Sequence, residues 1–217
     1  MEQIGSFFKT FGFVPTLAMA LYAAIIYRKL PGELKLFSWF VFLSGIIEAV
    51  SRIYWVYGKN NMPLLHIYVA VGFVCLALFY QRILKGVINR NLITIVLVLF
   101  LIFTIINSLF IQPVYTFNSY ALTVEGIIIV VLSLSTYIFM MDSIVKQNRG
   151  GIVKSLDWIN TGLFMYYASS LLIFHYGNFI TLFAPSYLVE YTWILHAFFS
   201  CIMYCCFFVG IWNRPRN

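Results

Sequence analysis

Leu92–Ile111, LITIVLVLFLIFTIINSLFI in full, runs for twenty residues without a charge. A helix rising about 1.5 Å per residue crosses a hydrocarbon core of ~30 Å with about 20 apolar residues, so this stretch reads as one membrane span. Three similar runs precede it, Phe11–Tyr27, Leu36–Val56 and Pro63–Leu84, and three follow it, Ser119–Met141, Trp158–Phe174 and Tyr191–Trp212. The 217 residues are 62% hydrophobic and 10% charged, with a mean hydropathy of +0.91. That composition excludes an ordinary soluble domain. The expected fold is all-α: a single seven-helix transmembrane domain over residues 1–217. Little chain lies outside the runs, so no separate catalytic domain is expected.

The first run reads as a retained helix. Arg28 and Lys29 follow its apolar core and no Ala-x-Ala pattern closes it, the reverse of a cleaved signal peptide. Basic residues set the orientation. Arg28, Lys29 and Lys35 follow the first run, Arg82, Lys85 and Arg90 the third, and Lys146, Arg149 and Lys154 the fifth, with Arg214 and Arg216 in the tail. The other side carries only Lys9 and Lys59. Eleven basic residues against two place the N-terminus outside and the C-terminus inside. The net charge of +7 is this bias plus attraction to anionic inner-leaflet lipid, and its scatter over four short segments argues against nucleic acid as a partner. Compact loops fit a bacterial inner membrane. Proline placement agrees with the borders: Pro31, Pro113, Pro185 and Pro215 fall between or after runs, and Pro63 suits a first helical turn, with Asn61 before it as a cap.

A repeat is also legible. Trp39 to Tyr57–Gly58 has the spacing of Trp158 to Tyr176–Gly177, with Ala49 and Ser51 in register with Ala168 and Ser170. Leu65–His66 followed by Cys75 matches Leu195–His196 followed by Cys205. The first and last three helices would then be parallel units joined by the fourth, related by an axis along the membrane normal. This three-one-three plan resembles the SWEET and PQ-loop sugar transporters in topology alone. Their proline–glutamine signature is absent, since Pro15 precedes Thr16 and the fifth run has no proline. Microbial rhodopsins share seven helices and an outer N-terminus, but the seventh run lacks the lysine they require. No family residues are carried over.

Six ionisable residues lie in or at the edge of the runs, all toward the outer half: Glu48, Arg52, His66, Glu125, His175 and His196. A charge at mid-bilayer costs at least ~2.5–3.5 kcal/mol, so such residues face a bundle interior or a wet cavity. Glu48 and Arg52 stand one turn apart and can pair along the helix, or bind a ligand between them. Gly45 and Ala49 nearby point to close helix approach. Glu125 has no basic residue at i±3 or i±4, so it must find a partner on another helix, keep its proton or meet water. His196, Ser200 and Tyr204 form an i, i+4, i+8 polar seam that faces inward. His66, Glu125, His175 and His196 have the chemistry of a zinc-type set, and two histidines that of a haem pair, although no local ligand spacing supports either. No motif requires a cofactor. Cys75, Cys201, Cys205 and Cys206 fall inside runs as polarisable packing residues, and Trp55, Trp193 and Trp212 suit interface anchors. The sixth run is a candidate cavity wall, with Asn160, Thr161, Tyr166, Tyr167, Ser169 and Ser170.

These features point to a carrier or sensor that binds a small polar ligand or ion through Glu48, Arg52, His66, Glu125, His196, Ser200 and Tyr204 in an outward-facing cavity. The alternatives are an accessory subunit that partners other membrane subunits and an intramembrane metal-dependent hydrolase. No nucleophile–base spacing favours an enzyme. The charge bias makes the orientation testable by labelling single cysteines in a cysteine-free background. Position 59 should label from outside intact cells and positions 85 and 154 only after permeabilisation; external labelling of position 154 would reverse the assignment.

Overall fold

A computed structural model describes residues 11–141 and 143–215, the side chains of 143–150 excepted. Lys9 and Arg216, used in the charge count, lie outside the described residues, as do the side chains of Lys146 and Arg149. The described residues form seven α-helices and no strand: α1 Val14–Ile26, α2 Gly32–Val56, α3 Met62–Ile83, α4 Arg90–Ile106, α5 Ser119–Met141, α6 Ser143–Phe183 and α7 Ser186–Trp212. A 3-10 turn, Tyr27–Lys29, follows α1, and a π turn, Asn107–Ile111, extends α4. Five are long and apolar enough to cross a membrane: α2, α3, α4 with its π turn, α5 and α7. They support an integral membrane protein in a lipid bilayer. α1 has only 13 residues, and α6 has length to spare but a more polar sequence.

The largest departure from the sequence reading is α6. Its expected span, Trp158–Phe174, is the apolar middle of a 41-residue helix. Hydropathy marks only that middle. The flanks stay helical because α6 packs along both α5 and α7. The segment bearing Lys146, Arg149 and Lys154 is therefore helix and not loop, and only Ala184 and Pro185 separate α6 from α7. The cap of α3 also differs. The Asn60 side chain, not that of Asn61, accepts the Met62 N–H at 2.8 Å.

Packing largely follows chain order. α1 meets α2, α2 meets α3, α5 meets α6, α6 meets α7, and α7 returns to α1. α3 also contacts α5 directly, which leaves α4 on the outside of that junction. The ring has two unlike halves. Toward the α1–α2 turn it is filled by aromatic side chains: Phe37 lies 5.2 Å from Phe79 and 4.7 Å from Phe207, between ring centroids. Toward the α2–α3 turn it holds polar side chains and a cavity.

Small residues bring the helices together. A Cβ on Gly45 would lie 2.7 Å from the Ala20 Cβ, so α1 and α2 touch at the backbone there. A Cβ on Gly162 would meet the Cys206 Cβ at 2.9 Å and Met203 O at 3.0 Å, and one on Gly210 would meet Ser155 O at 2.9 Å. The α6–α7 crossing thus rests on a glycine from each helix. Gly210→Leu should lower stability by about 1–3 kcal/mol through overpacking, read as a lower Tm of the purified protein. Ile25→Ala, at a position 80% exposed on the outer surface, should leave Tm nearly unchanged.

Candidate functional site

In the polar half, α1, α2, α3, α6 and α7 surround a cavity of about 380 Å³. That lies within the usual ~300–1,000 Å³ of small-molecule sites. Glu48 and Ser44 border it from α2, Thr16 from α1 and Tyr68 from α3. Tyr166 comes from α6, and Trp193, His196, Ser200 and Tyr204 from α7. Counted at about 1.5 Å per residue, Glu48 stands about 12 Å down α2 from Val56. Phe117, from the loop between α4 and α5, packs edge-on against Trp193 with centroids 5.2 Å apart at 71°. It seats against Gly177 of α6, where any side chain would collide with its ring.

Several lining groups are oriented by partners. The Ser44 hydroxyl donates to Phe40 O at 2.9 Å, so the Tyr68 hydroxyl donates to Ser44 Oγ at 3.0 Å. His196 uses both ring nitrogens: Nε2 lies 3.4 Å from the Tyr166 hydroxyl and Nδ1 3.2 Å from Ser170 Oγ. The imidazole stands edge-on to Trp193, 5.9 Å between centroids at 86°. A second recess of about 250 Å³ adjoins the first and shares Thr16, Glu48, His196 and Ser200 with it. Arg52 borders this recess, and its guanidinium lies 4.4 Å over the Trp55 ring and 5.1 Å over that of Phe13. Glu48 and Arg52 therefore share a boundary, with the cation stacked on aromatic faces.

The remaining expected site residues lie elsewhere. Glu125 of α5 is only 2% exposed, behind the cavity wall, where its Oε1 accepts from the Tyr167 hydroxyl at 3.1 Å. Tyr167 packs edge-on against Tyr166, so two tyrosines stand between Glu125 and His196. His66 is buried and turned toward α4: Nδ1 lies 2.8 Å from Ser108 Oγ, and Nε2 3.1 Å from Thr116 O. It borders a separate, mostly apolar hollow with Ile67, Thr104 and Leu109. His175 is exposed and packs on Tyr176. The zinc-type set is therefore not assembled: His66, Glu125, His175 and His196 face four different surroundings, and among the described residues no three His, Cys, Asp or Glu side chains are grouped to hold a metal.

Spacing arguments missed Thr16, Ser44, Tyr68 and Phe117, and assigned Trp193 to the membrane interface. Gly177 was the available signal for Phe117, since a glycine on a packed helix marks a close neighbour. Polar bonds hold the loop that carries Phe117. Gln112 N–H bonds to Asn107 O at 2.8 Å, closing the π turn. The Asn107 amide donates to Asn118 Oδ1 at 2.8 Å, Gln112 Nε2 donates to Ser119 Oγ at 2.7 Å, and Asn178 Nδ2 donates to Phe117 O at 2.8 Å.

No protein-family model, curated protein or solved structure matches the chain. The geometry alone carries the functional reading.

Glu125 yields a direct test of its structural share. Glu125→Gln keeps an acceptor for Tyr167 and should shift stability by less than about 0.5 kcal/mol, whereas Glu125→Leu strands the buried hydroxyl and should cost about 1–3 kcal/mol. Thermal unfolding of the two purified variants beside Tyr167→Phe separates these outcomes. A large loss in Glu125→Gln would mean that the carboxyl does more than accept one hydrogen bond.

Proposed function

We propose that the protein is a membrane carrier or sensor that binds a small polar ligand in the cavity between α2, α3, α6 and α7. The observation that carries this reading is a ligand-sized cavity inside a membrane bundle, walled by aromatic and hydroxyl side chains around Glu48 and His196. A carboxylate such as that of Glu48 is costly to hold inside a membrane bundle, so a hollow that borders it and stays polar suits a ligand that complements it. The binding residues in this reading are Glu48, His196, Ser200 and Tyr204, with Arg52 at the adjoining recess. Glu125 acts behind the wall through Tyr167 and Tyr166, and His66 serves the α3–α4 junction. With the N-terminus outside, the cavity opens outward.

The ring order supports the repeat within the same proposal. Two units, α1–α2–α3 and α5–α6–α7, meet head to tail where α3 contacts α5 and α7 contacts α1. An axis along the membrane normal would produce that arrangement, and the cavity lies between the units, where a carrier rocks or a sensor closes. The histidines of the two units differ in surroundings because the π turn of α4 meets His66 and has no counterpart at His196.

The reading is tested by a thermal-stability screen of the purified full-length protein against small polar compounds. A ligand at ~100 times its Kd should raise Tm by about 5 °C or more. Ser200→Trp, which fills the cavity from α7, should abolish the shift while its own unliganded transition stays cooperative. Shifts that persist in this variant would place binding elsewhere.

A further inference from the structure

We infer that the cavity takes a small organic cation, an alkylammonium headgroup held by Glu48 and the surrounding rings; this rests on the ligand-binding reading above. Five aromatic side chains line the cavity: Tyr68, Phe117, Tyr166, Trp193 and Tyr204. They come from α3, the α4–α5 loop, α6 and α7, so they enclose the space from several directions. Aromatic faces carry the negative part of a quadrupole, and a cation among several of them is attracted to each. Quaternary ammonium groups are recognised in this way because they have no N–H to donate and a large, weakly hydrated surface.

Charge points in the same direction. Among the described residues that line the cavity, Glu48 is the one carboxylate, and there is no lysine or arginine. Arg52, one turn along α2, acts on the Glu48 carboxylate through its charge, but its guanidinium borders the adjoining recess, on the rings of Trp55 and Phe13, and does not line the ring-walled space. The histidine of the wall already meets Tyr166 and Ser170 through its two nitrogens. The hydroxyls of Tyr68 and Tyr166 are likewise engaged with Ser44 and His196, so these residues offer a ligand their rings more than their donors. An anion would meet a carboxylate and no lysine or arginine among the described lining residues. A cation is the charge that suits both the carboxylate and the ring faces.

The test compares three probes of nearly equal shape on the full-length protein in a maltoside detergent, which avoids the ammonium headgroups of choline-based detergents. They are choline, its uncharged carbon isostere 3,3-dimethylbutan-1-ol, and the anion 3,3-dimethylbutanoate, each followed by isothermal titration. Choline should bind at least about tenfold more tightly than the alcohol, as expected for one ion pair and several ring contacts in a sheltered site. The carboxylate should show no saturable heat. Glu48→Gln should bring choline down to the affinity of the alcohol, and Trp193→Leu should weaken choline more than the alcohol.

The wild-type comparison does not depend on either variant folding. Equal affinity for choline and the alcohol, or tighter binding of the carboxylate, would overturn the cation assignment. If that binding also disappears in Ser200→Trp, the cavity reading stands and only the ligand class falls. Absence of saturable binding by all three probes rejects the ammonium class, and the Ser200→Trp screen then decides the broader reading by itself. Undiminished choline binding in Glu48→Gln removes the carboxylate from the site.

Discussion

A polar group inside hydrocarbon has only the protein to bond with, and the arrangement of this bundle follows from that shortage. Tyr80 of α3 donates to Asn160 Oδ1 of α6 at 3.0 Å and meets Ser133 Oγ of α5 at 2.7 Å, while Asn160 donates to Ser133 O at 3.1 Å. Three helices are thereby locked at one buried point. Each bond contributes only about 0.5–1.5 kcal/mol net, but leaving one of these groups unpaired costs about 1–3 kcal/mol. The knot therefore selects one arrangement more than it adds stability. The direct α3–α5 contact, and the displacement of α4 to the outside, are consistent with this pinning.

The same constraint separates the two halves of the ring. Phe37, Phe40, Phe79 and Phe207 close one end with side chains that ask for no partner. At the other end Ser44 of α2 pairs with Tyr68 of α3, and His196 of α7 with Tyr166 and Ser170 of α6, and the space between the two groups stays open. The cysteines of α3 and α7 are free thiols, of which Cys206 is buried and Cys205 exposed. The bundle is thus packed where it is apolar and hollow where it is polar. The Asn107, Gln112, Asn118 and Asn178 network ties the loop beside the hollow to α5 and α6, so Phe117 is held by hydrogen bonds as well as by its ring contact.

Membrane class and the five long apolar helices were legible because hydropathy reports bulk composition over twenty-residue windows, and the run of α4 is unambiguous on that scale. Helix ends were less legible. The flanks of α6 are polar, and the reason they remain helical lies in α5 and α7, which no local window contains. Within the site, His196, Ser200 and Tyr204 could be read as one wall because an i, i+4, i+8 pattern is itself geometry. The partner of Glu125 could not, since Tyr167 is 42 residues away along the chain. His66 was placed in the cavity because an ionisable side chain within a span needs a partner or water; its partners, Ser108 and Thr116, depend on how the end of α4 folds back, and a π turn has no simple sequence signature. Phe117 carries no spacing signal of its own, and the one trace of its position is Gly177, the glycine that receives its ring.

The length of α6 has a mechanical consequence. At about 1.5 Å per residue its 41 residues extend about 60 Å, roughly twice the hydrocarbon thickness. Ser170 and Tyr166 touch His196 near one third of that length, and Ser143 lies about 40 Å from Ser170 along the same unbroken rod. A tilt of about 5° around the His196 contact would sweep the far tip by about 3 Å, comparable to the small helix shifts that suffice in known switching proteins. If the proposed binding at the cavity shifts its wall, the helix would act as a lever, with its short arm at the cavity and its long arm toward Ser143.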